Sequence, residues 1–165
     1  MASSLTNGDA SHAPIEISFP LPKAGNTNIN LQLRDNGPNI TLFLTTSTPD
    51  AASAIPLGSL VYAMPNVCCQ PLTISSQYSA DQLIQRATPS QPLSTPLFTH
   101  SATLDFTTRL SKLLARKTGK PIYVSSSMSF ANAGMGGTVE EEMEGFKRVV
   151  EVVMGLLNKE VETTT

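Results

Sequence analysis

Apolar and polar positions alternate through much of the first hundred residues. Ile15, Ile17 and Phe19 alternate with Glu16 and Ser18, the period-two pattern of a half-buried strand. Ile29, Leu31 and Leu33 alternate with Asn30, Gln32 and Arg34, and the run closes at Asp35-Asn36-Gly37-Pro38, residues that tolerate or impose turn geometry. A hairpin is predicted, its return strand spanning 39–46 with Ile40, Leu42 and Leu44 on one face and Thr41, Phe43 and Thr45 on the other. The short apolar run at 58–64 (GSLVYAM) reads as a central strand covered on both sides and ended by Pro65. Residues 92–98 (PLSTPLF) hold two prolines and read as an edge strand, where a missing N–H breaks no ladder.

After residue 100 the period changes. Phe106, Leu110, Leu113 and Leu114 fall on one helical stripe that starts near Thr103, and Gly119 follows Arg116, Lys117 and Thr118 where a left-handed C-cap belongs. A strand is predicted over 121–125. Beyond the Gly-rich 131–137 connection comes a long helix from Thr138 to about Asn158, with Thr138 and Glu141 spaced as a capping box. Glu140, Glu141, Glu142 and Glu144 load its positive end, and Met143, Phe146, Val150, Val153 and Leu157 form its predicted buried stripe. Strands followed by helices predict an α+β fold, a mostly antiparallel or mixed sheet of about six strands with two helices packed on one face. The expected organisation is an N-terminal tail over 1–13, one domain over 14–158 and a frayed tail over 159–165. The polar stretch 66–90 reads as an inserted loop with a slight helical hint at 80–86.

Composition narrows the function classes. With 11 Lys and Arg against 13 Asp and Glu, a net charge of -2 gives no basic field for a nucleic-acid backbone. The two cysteines, Cys68 and Cys69, are adjacent and cannot close a long loop, so a reducing compartment is expected. No apolar run approaches the roughly 20 residues of a membrane span, and the first residues have neither a signal-peptide core nor transit-peptide arginines. Cytoplasm and nucleus are the expected locations.

Candidate chemistry is sparse. The Gly134–Gly137 loop opens onto a helix but lacks the lysine of a phosphate loop, and four glutamates already occupy that positive potential. Lys117-Thr118-Gly119-Lys120 ends a helix instead of starting one. His12 and His100 lack a nearby nucleophile fixed by any local pattern, and Asp105 with His100 makes a triad only on paper. Cys68-Cys69 lacks the gap that turns two thiolates toward one zinc. No catalytic, metal or cofactor residue is therefore assigned. Arg109, Lys112, Arg116, Lys117 and Lys120 form a basic ridge, either a solvated face or a surface that steers an acidic partner. Thr41, Phe43, Thr45 and Tyr123 read equally as core or as a protein interface.

The C-terminal text is more specific. Arg109–Phe130 (RLSKLLARKTGKPIYVSSSMSF) followed by Val139–Val150 (VEEEMEGFKRVV) resembles the proteasome assembly chaperone 4 family, where a helix ending in L-A-R-K-T leads through a strand to a helix with E-E-M-E-x-F. Those pieces are Leu114–Thr118 and Glu141–Phe146 here, and Ser59–Pro65 and Gln91–Phe98 are similar to the family's preceding strands. The resemblance spans about residues 57–157 by text and 14–56 by pattern. The stretch 66–90 and the long second helix depart from the shorter animal members and look like a fungal-type member. The resemblance implies a six-stranded sheet with helices on one side. It also implies a non-enzymatic chaperone that pairs with a proteasome assembly chaperone 3-like subunit and holds an α subunit, α5, during α-ring formation of the core (20S) proteasome. On that reading Thr41, Phe43, Thr45 and Tyr123 belong to the heterodimer interface, Arg109, Lys112 and Arg116 are candidates for the proteasome-subunit contact, and no cofactor is needed. The alternative from another class is a small-ligand or nucleotide-binding enzyme using the Gly134–Gly137 loop.

Overall fold

Alternation in the N-terminal strands becomes a sheet because each strand has one face that must leave water. The computed structural model describes residues 13–21, 24–47, 57–66, 91–130 and 139–163. Its elements, in chain order, are β1 (Ile15–Leu21), β2 (Ala24–Asp35), β3 (Ile40–Ser47), β4 (Ser59–Met64), β5 (Leu93–Phe98), α1 (Leu104–Thr118), β6 (Ile122–Ser126) and α2 (Val139–Thr163). The six strands form one sheet in the order β1-β2-β3-β6-β4-β5. Every pairing is antiparallel except β3 with β6, so the predicted α+β class holds with a single parallel pair.

The turn after β2 forms as its residues require. The Gly37 amide donates to Asp35 Oδ1 at 2.8 Å, and the Asn36 amide donates to the Asn39 carbonyl at 2.9 Å. β2 then pairs with β3 from Asn28–Ser47 to Asp35–Ile40. Facing residues share a side of the sheet, so Ile29, Leu31 and Leu33 join Leu44, Leu42 and Ile40, all essentially buried. Val124 and Ile122 of β6 and Val61 and Ala63 of β4 continue this inner face.

Both helices lie over that inner face, their buried residues merging with it in one hydrophobic core. α1 ends on Gly119, whose φ of 66° is the left-handed geometry predicted, with its amide donating to the Ala115 carbonyl at 3.0 Å. Its buried stripe is rotated from the predicted one. Phe106, Leu110 and Leu114 are buried as expected, but Leu113 is half-buried, and Thr107, Ser111 and Ala115 point inward. Small residues let the helix approach the sheet closely. The Thr107 hydroxyl donates to the Thr103 carbonyl at 2.6 Å and that of Ser111 to the Thr108 carbonyl at 3.0 Å, so neither is stranded.

α2 also differs from its prediction in detail. Its inward line is Glu141, Gly145, Val149, Val153 and Leu157, at four-residue spacing. Met143, expected on the stripe, is 45% exposed, and Phe146 and Val150 are partly buried beside the line. Gly145 sets this orientation: a Cβ there would stand 2.9 Å from the Phe130 ring and 3.1 Å from Leu21 Cδ1, so only a bare backbone lets the helix press onto them. Phe146 instead packs edge-on against Phe106, ring centroids 5.5 Å apart. The helix continues to Thr163, past the predicted end near Asn158. The capping-box Thr138, the 80–86 helical hint, Cys68, Cys69, His12 and the Gly134–Gly137 loop lie outside the described residues.

One strand assignment needs correcting. β4 is an interior strand, between β6 and β5, but among the described residues the helices cover only one of its sides. Val61 and Ala63 are buried under the helices, while Leu60 and Tyr62 are half-buried and Met64 exposed on the opposite face. Its apolar run is uninterrupted because its uncovered face is apolar too.

Candidate interaction face

The uncovered face is built from the residues between the core positions of each strand. Cross-strand register arranges it in rows. One row runs Glu16, Gln32, Phe43, Ser125, Leu60, Phe98 from edge to edge, and the next runs Arg34, Thr41, Tyr123, Tyr62, Thr95. A third includes Ser18, Asn30 and Thr45. Thr41, Phe43, Thr45 and Tyr123 thus all lie on this one face, and the structure decides between core and surface for Phe43, which is 41% exposed between the buried Leu42 and Leu44.

Sequence reasoning missed that this apolar surface continues into β4 and β5. Tyr62 stacks obliquely on Tyr123 with ring centroids 4.7 Å apart, and Leu60, Met64, Leu93 and Phe98 extend the patch to the β5 edge. A signal was present: a tyrosine inside an apolar strand asks for a hydroxyl partner or water, which a doubly covered strand seldom offers. The opposite end of the face is polar, with the Gln32 amide donating to Glu16 Oε1 at 2.9 Å and the Asn30 amide to Ser47 Oγ at 2.9 Å.

The face is not flat. Ser125 Oγ donates to the Leu57 carbonyl at 3.1 Å, holding residue 57 above β6 and leaving its side chain about half exposed. Between Leu57 and β1 lies a hollow of about 580 Å³ bordered by Ser18, Asn30, Gln32, Phe43 and Ser127. Phe43 also borders a smaller hollow of about 220 Å³, with Arg34, Thr41 and Pro14. The aromatic ring is a ridge between two recesses, a shape that takes a complementary protein surface.

The basic ridge lies on the helix side and is partly spent within the chain. Arg109 Nη2 is 2.7 Å from Asp105 Oδ2 and 2.6 Å from Glu142 Oε1, tying α1 to α2, and Lys120 Nζ is 2.7 Å from Asp35 Oδ2. Lys112, Arg116 and Lys117 make no ion pair with the described residues. His100 enters hydrogen bonds through its backbone: its amide donates to Ser59 Oγ at 2.9 Å, and its carbonyl accepts from the same hydroxyl at 3.0 Å. Asp105, the paper partner of that histidine, is engaged by Arg109. Among the described residues no group of three or more His, Cys, Asp or Glu is placed to hold a metal.

The fold is thus a sheet with helices on one side and an aromatic ridge on the other. A family model described as proteasome assembly chaperone 4 matches residues 78–128, which take in β5, α1 and β6, and this match upholds the resemblance read from the sequence. It begins within the 66–90 stretch and ends at Met128, so the Glu141–Phe146 text lies beyond it. The crystal structure of a novel chaperone complex for yeast 20S proteasome assembly is similar in fold, with a TM-score of 0.51 over 90% of this chain and 97% of that one. Sequence identity to it is 13%, so the likeness is one of fold. No curated protein matches the chain.

Proposed function

We propose that this chain is a non-enzymatic chaperone for assembly of the core (20S) proteasome, working in cytoplasm and nucleus. It acts as a heterodimer with a proteasome assembly chaperone 3-like subunit that covers the helix-free sheet face. The pair holds an α subunit, α5, during α-ring formation. The observation that carries this reading is the helix-free face itself, where Phe43, Leu60, Tyr62, Tyr123 and Phe98 lie across four adjacent strands with no helix over them among the described residues. A patch of that kind marks an interaction site on a folded chain. Pairing through a strand edge is disfavoured, because Pro20 in β1 and Pro96 in β5 interrupt both edges of the sheet. Face-on docking uses the large surface and leaves the edges alone. Lys112 and Arg116, on the helix side and without an ion pair to the described residues, are assigned to meet the α subunit together with Arg109, which also ties α1 to α2.

The test is pairing in solution. The wild-type chain alone should self-associate, and the chaperone 3-like subunit from the same cells should convert it to a 1:1 complex in analytical ultracentrifugation. Phe43→Glu should abolish that complex while leaving the helical circular dichroism intact, because a carboxylate buried without a counter-ion is strongly disfavoured. A monodisperse wild-type monomer indifferent to the partner would sink the proposal. Pull-down of α5 by the complex but not by the lone chain tests the client half of the reading.

A further inference from the structure

Two charged groups stand among the described strand residues of the helix-free face, and they differ in what holds them. Glu16 lies opposite Gln32 and accepts its amide at 2.9 Å. Arg34, two residues further along β2 and opposite Thr41, is exposed, and its guanidinium makes no hydrogen bond or ion pair with the described residues. It borders the smaller hollow together with Phe43, Thr41 and Pro14. Covering this face with a purely apolar surface would strand a guanidinium beside the ridge that has to be buried, a heavy cost without an anionic acceptor. Arginine's planar fork is also the side chain best shaped to take a carboxylate through two parallel hydrogen bonds.

We propose that Arg34 selects the partner: the protein that covers this face places a carboxylate over the hollow between Arg34 and Phe43. This rests on the pairing reading above and names the chemistry of its occupant. Among the described strand residues of this face a second copy offers only Glu16, which already accepts from Gln32, so the occupant is a different polypeptide with a carboxylate of its own. The charge gives orientation as well as affinity, since an attraction localised at Arg34 fixes which way round the two sheets lie.

The experiment compares wild type, Arg34→Met, Arg34→Glu and Phe43→Glu, each checked for native circular dichroism and melting temperature, in titrations with the chaperone 3-like subunit from the same cells at several salt concentrations. Arg34→Met should weaken binding about tenfold and Arg34→Glu about a hundredfold, as expected for losing and then reversing one interfacial charge. The wild-type Kd should rise with salt, and that of Arg34→Met should be nearly flat. If Arg34→Glu binds like wild type with an unchanged salt slope while Phe43→Glu does not bind, this inference is wrong and the pairing face stands. If both bind like wild type, the pairing reading itself fails. A stable dimer of the lone chain that Arg34→Glu dissociates would make the occupant a second copy and overturn the selection of a different partner.

Discussion

The two faces of this sheet start from similar sequence and end in opposite roles. On β3, Leu42 and Leu44 lie under the helices, essentially out of water, and Phe43 between them is 41% exposed on the other side. On β4, Val61 and Ala63 are fully buried while Leu60 and Tyr62 are not. Hydrophobicity alone does not separate the two sets. What separates them is where α1 and α2 dock, and that follows from the small inward residues Thr107, Ser111, Ala115 and Gly145, which permit close approach to one face. The inner face is finished by the chain's own helices. The outer face mixes Phe43, Tyr123, Leu60, Tyr62 and Phe98 with threonine and serine over β3, β6, β4 and β5, and neither α1 nor α2 lies upon it.

The sharpest way to break this contrast is to truncate neighbours on one strand. Leu42→Ala should cost about 2–5 kcal/mol, the lost transfer energy plus a cavity, read as a fall in the urea midpoint at unchanged slope. Phe43→Ala should leave the monomer within about 0.5 kcal/mol, as for surface positions. Equal losses at both positions would mean that the outer face is as essential to folding as the inner one.

A slightly smaller effect is expected at the junction that carries Leu57 over the outer face. Gly58 has a φ of 71°, and a Cβ there would run into the Ser126 carbonyl oxygen of the neighbouring strand. Gly58→Ala should therefore cost at least about 2 kcal/mol from left-handed strain and from moving β6. Melting unchanged within a degree would show that the β4 entry relaxes freely.

Much of the fold was legible because period-two and period-3.6 patterns record burial directly. The hairpin at Asp35–Asn39, the edge strand at Leu93–Phe98, the Gly119 cap and the single helix-bearing face all follow from residue type and spacing. Three readings failed for a common physical reason. Leu113, Met143 and the supposed double cover of β4 were assigned from hydrophobicity, whereas orientation was set by the small residues that allow close packing, and hydrophobicity scales place no special value on Gly145, Ser111 or Thr107. The face of Thr41, Phe43, Thr45 and Tyr123 was legible as a set because alternation ties them together, yet no pattern in the strands says which side the helices take. Arg34 was invisible as a site, since one arginine in an alternating strand looks like any solvent-facing residue until the neighbouring hollow is seen.

The revised helix stripe gives a smaller, directional prediction. Leu113 is half-buried and Leu110 is fully buried on the same helix. Leu113→Ala should therefore lower stability by about 1 kcal/mol against at least 2 for Leu110→Ala, scaling with the apolar area each removes from the core. Equal losses would return Leu113 to the stripe and rotate α1 toward the orientation that its leucines alone suggest.

The smallest effect belongs to the ion pairs joining the helices on the finished side. Arg109 reaches Asp105 within α1 and Glu142 on α2, and its side chain is 48% exposed, so water screens both contacts. Solvated pairs of this sort contribute about 0.2–1 kcal/mol, and a shared arginine stays within that range because one side chain is ordered for both carboxylates. Arg109→Ala should thus lower stability by under about 1 kcal/mol, and the difference from wild type should shrink as salt is raised. Comparing Arg109→Ala with Glu142→Ala and the double variant separates the inter-helix contact from the local one, since the cycle's coupling energy belongs to the Arg109–Glu142 pair. A coupling near zero would mean that the helices are positioned by packing and not by this ion pair. Arg109 would then join Lys112 and Arg116 as a candidate for the proposed client contact. A measurable coupling would keep Arg109 as an internal tie and leave the proposed client contact to the other two.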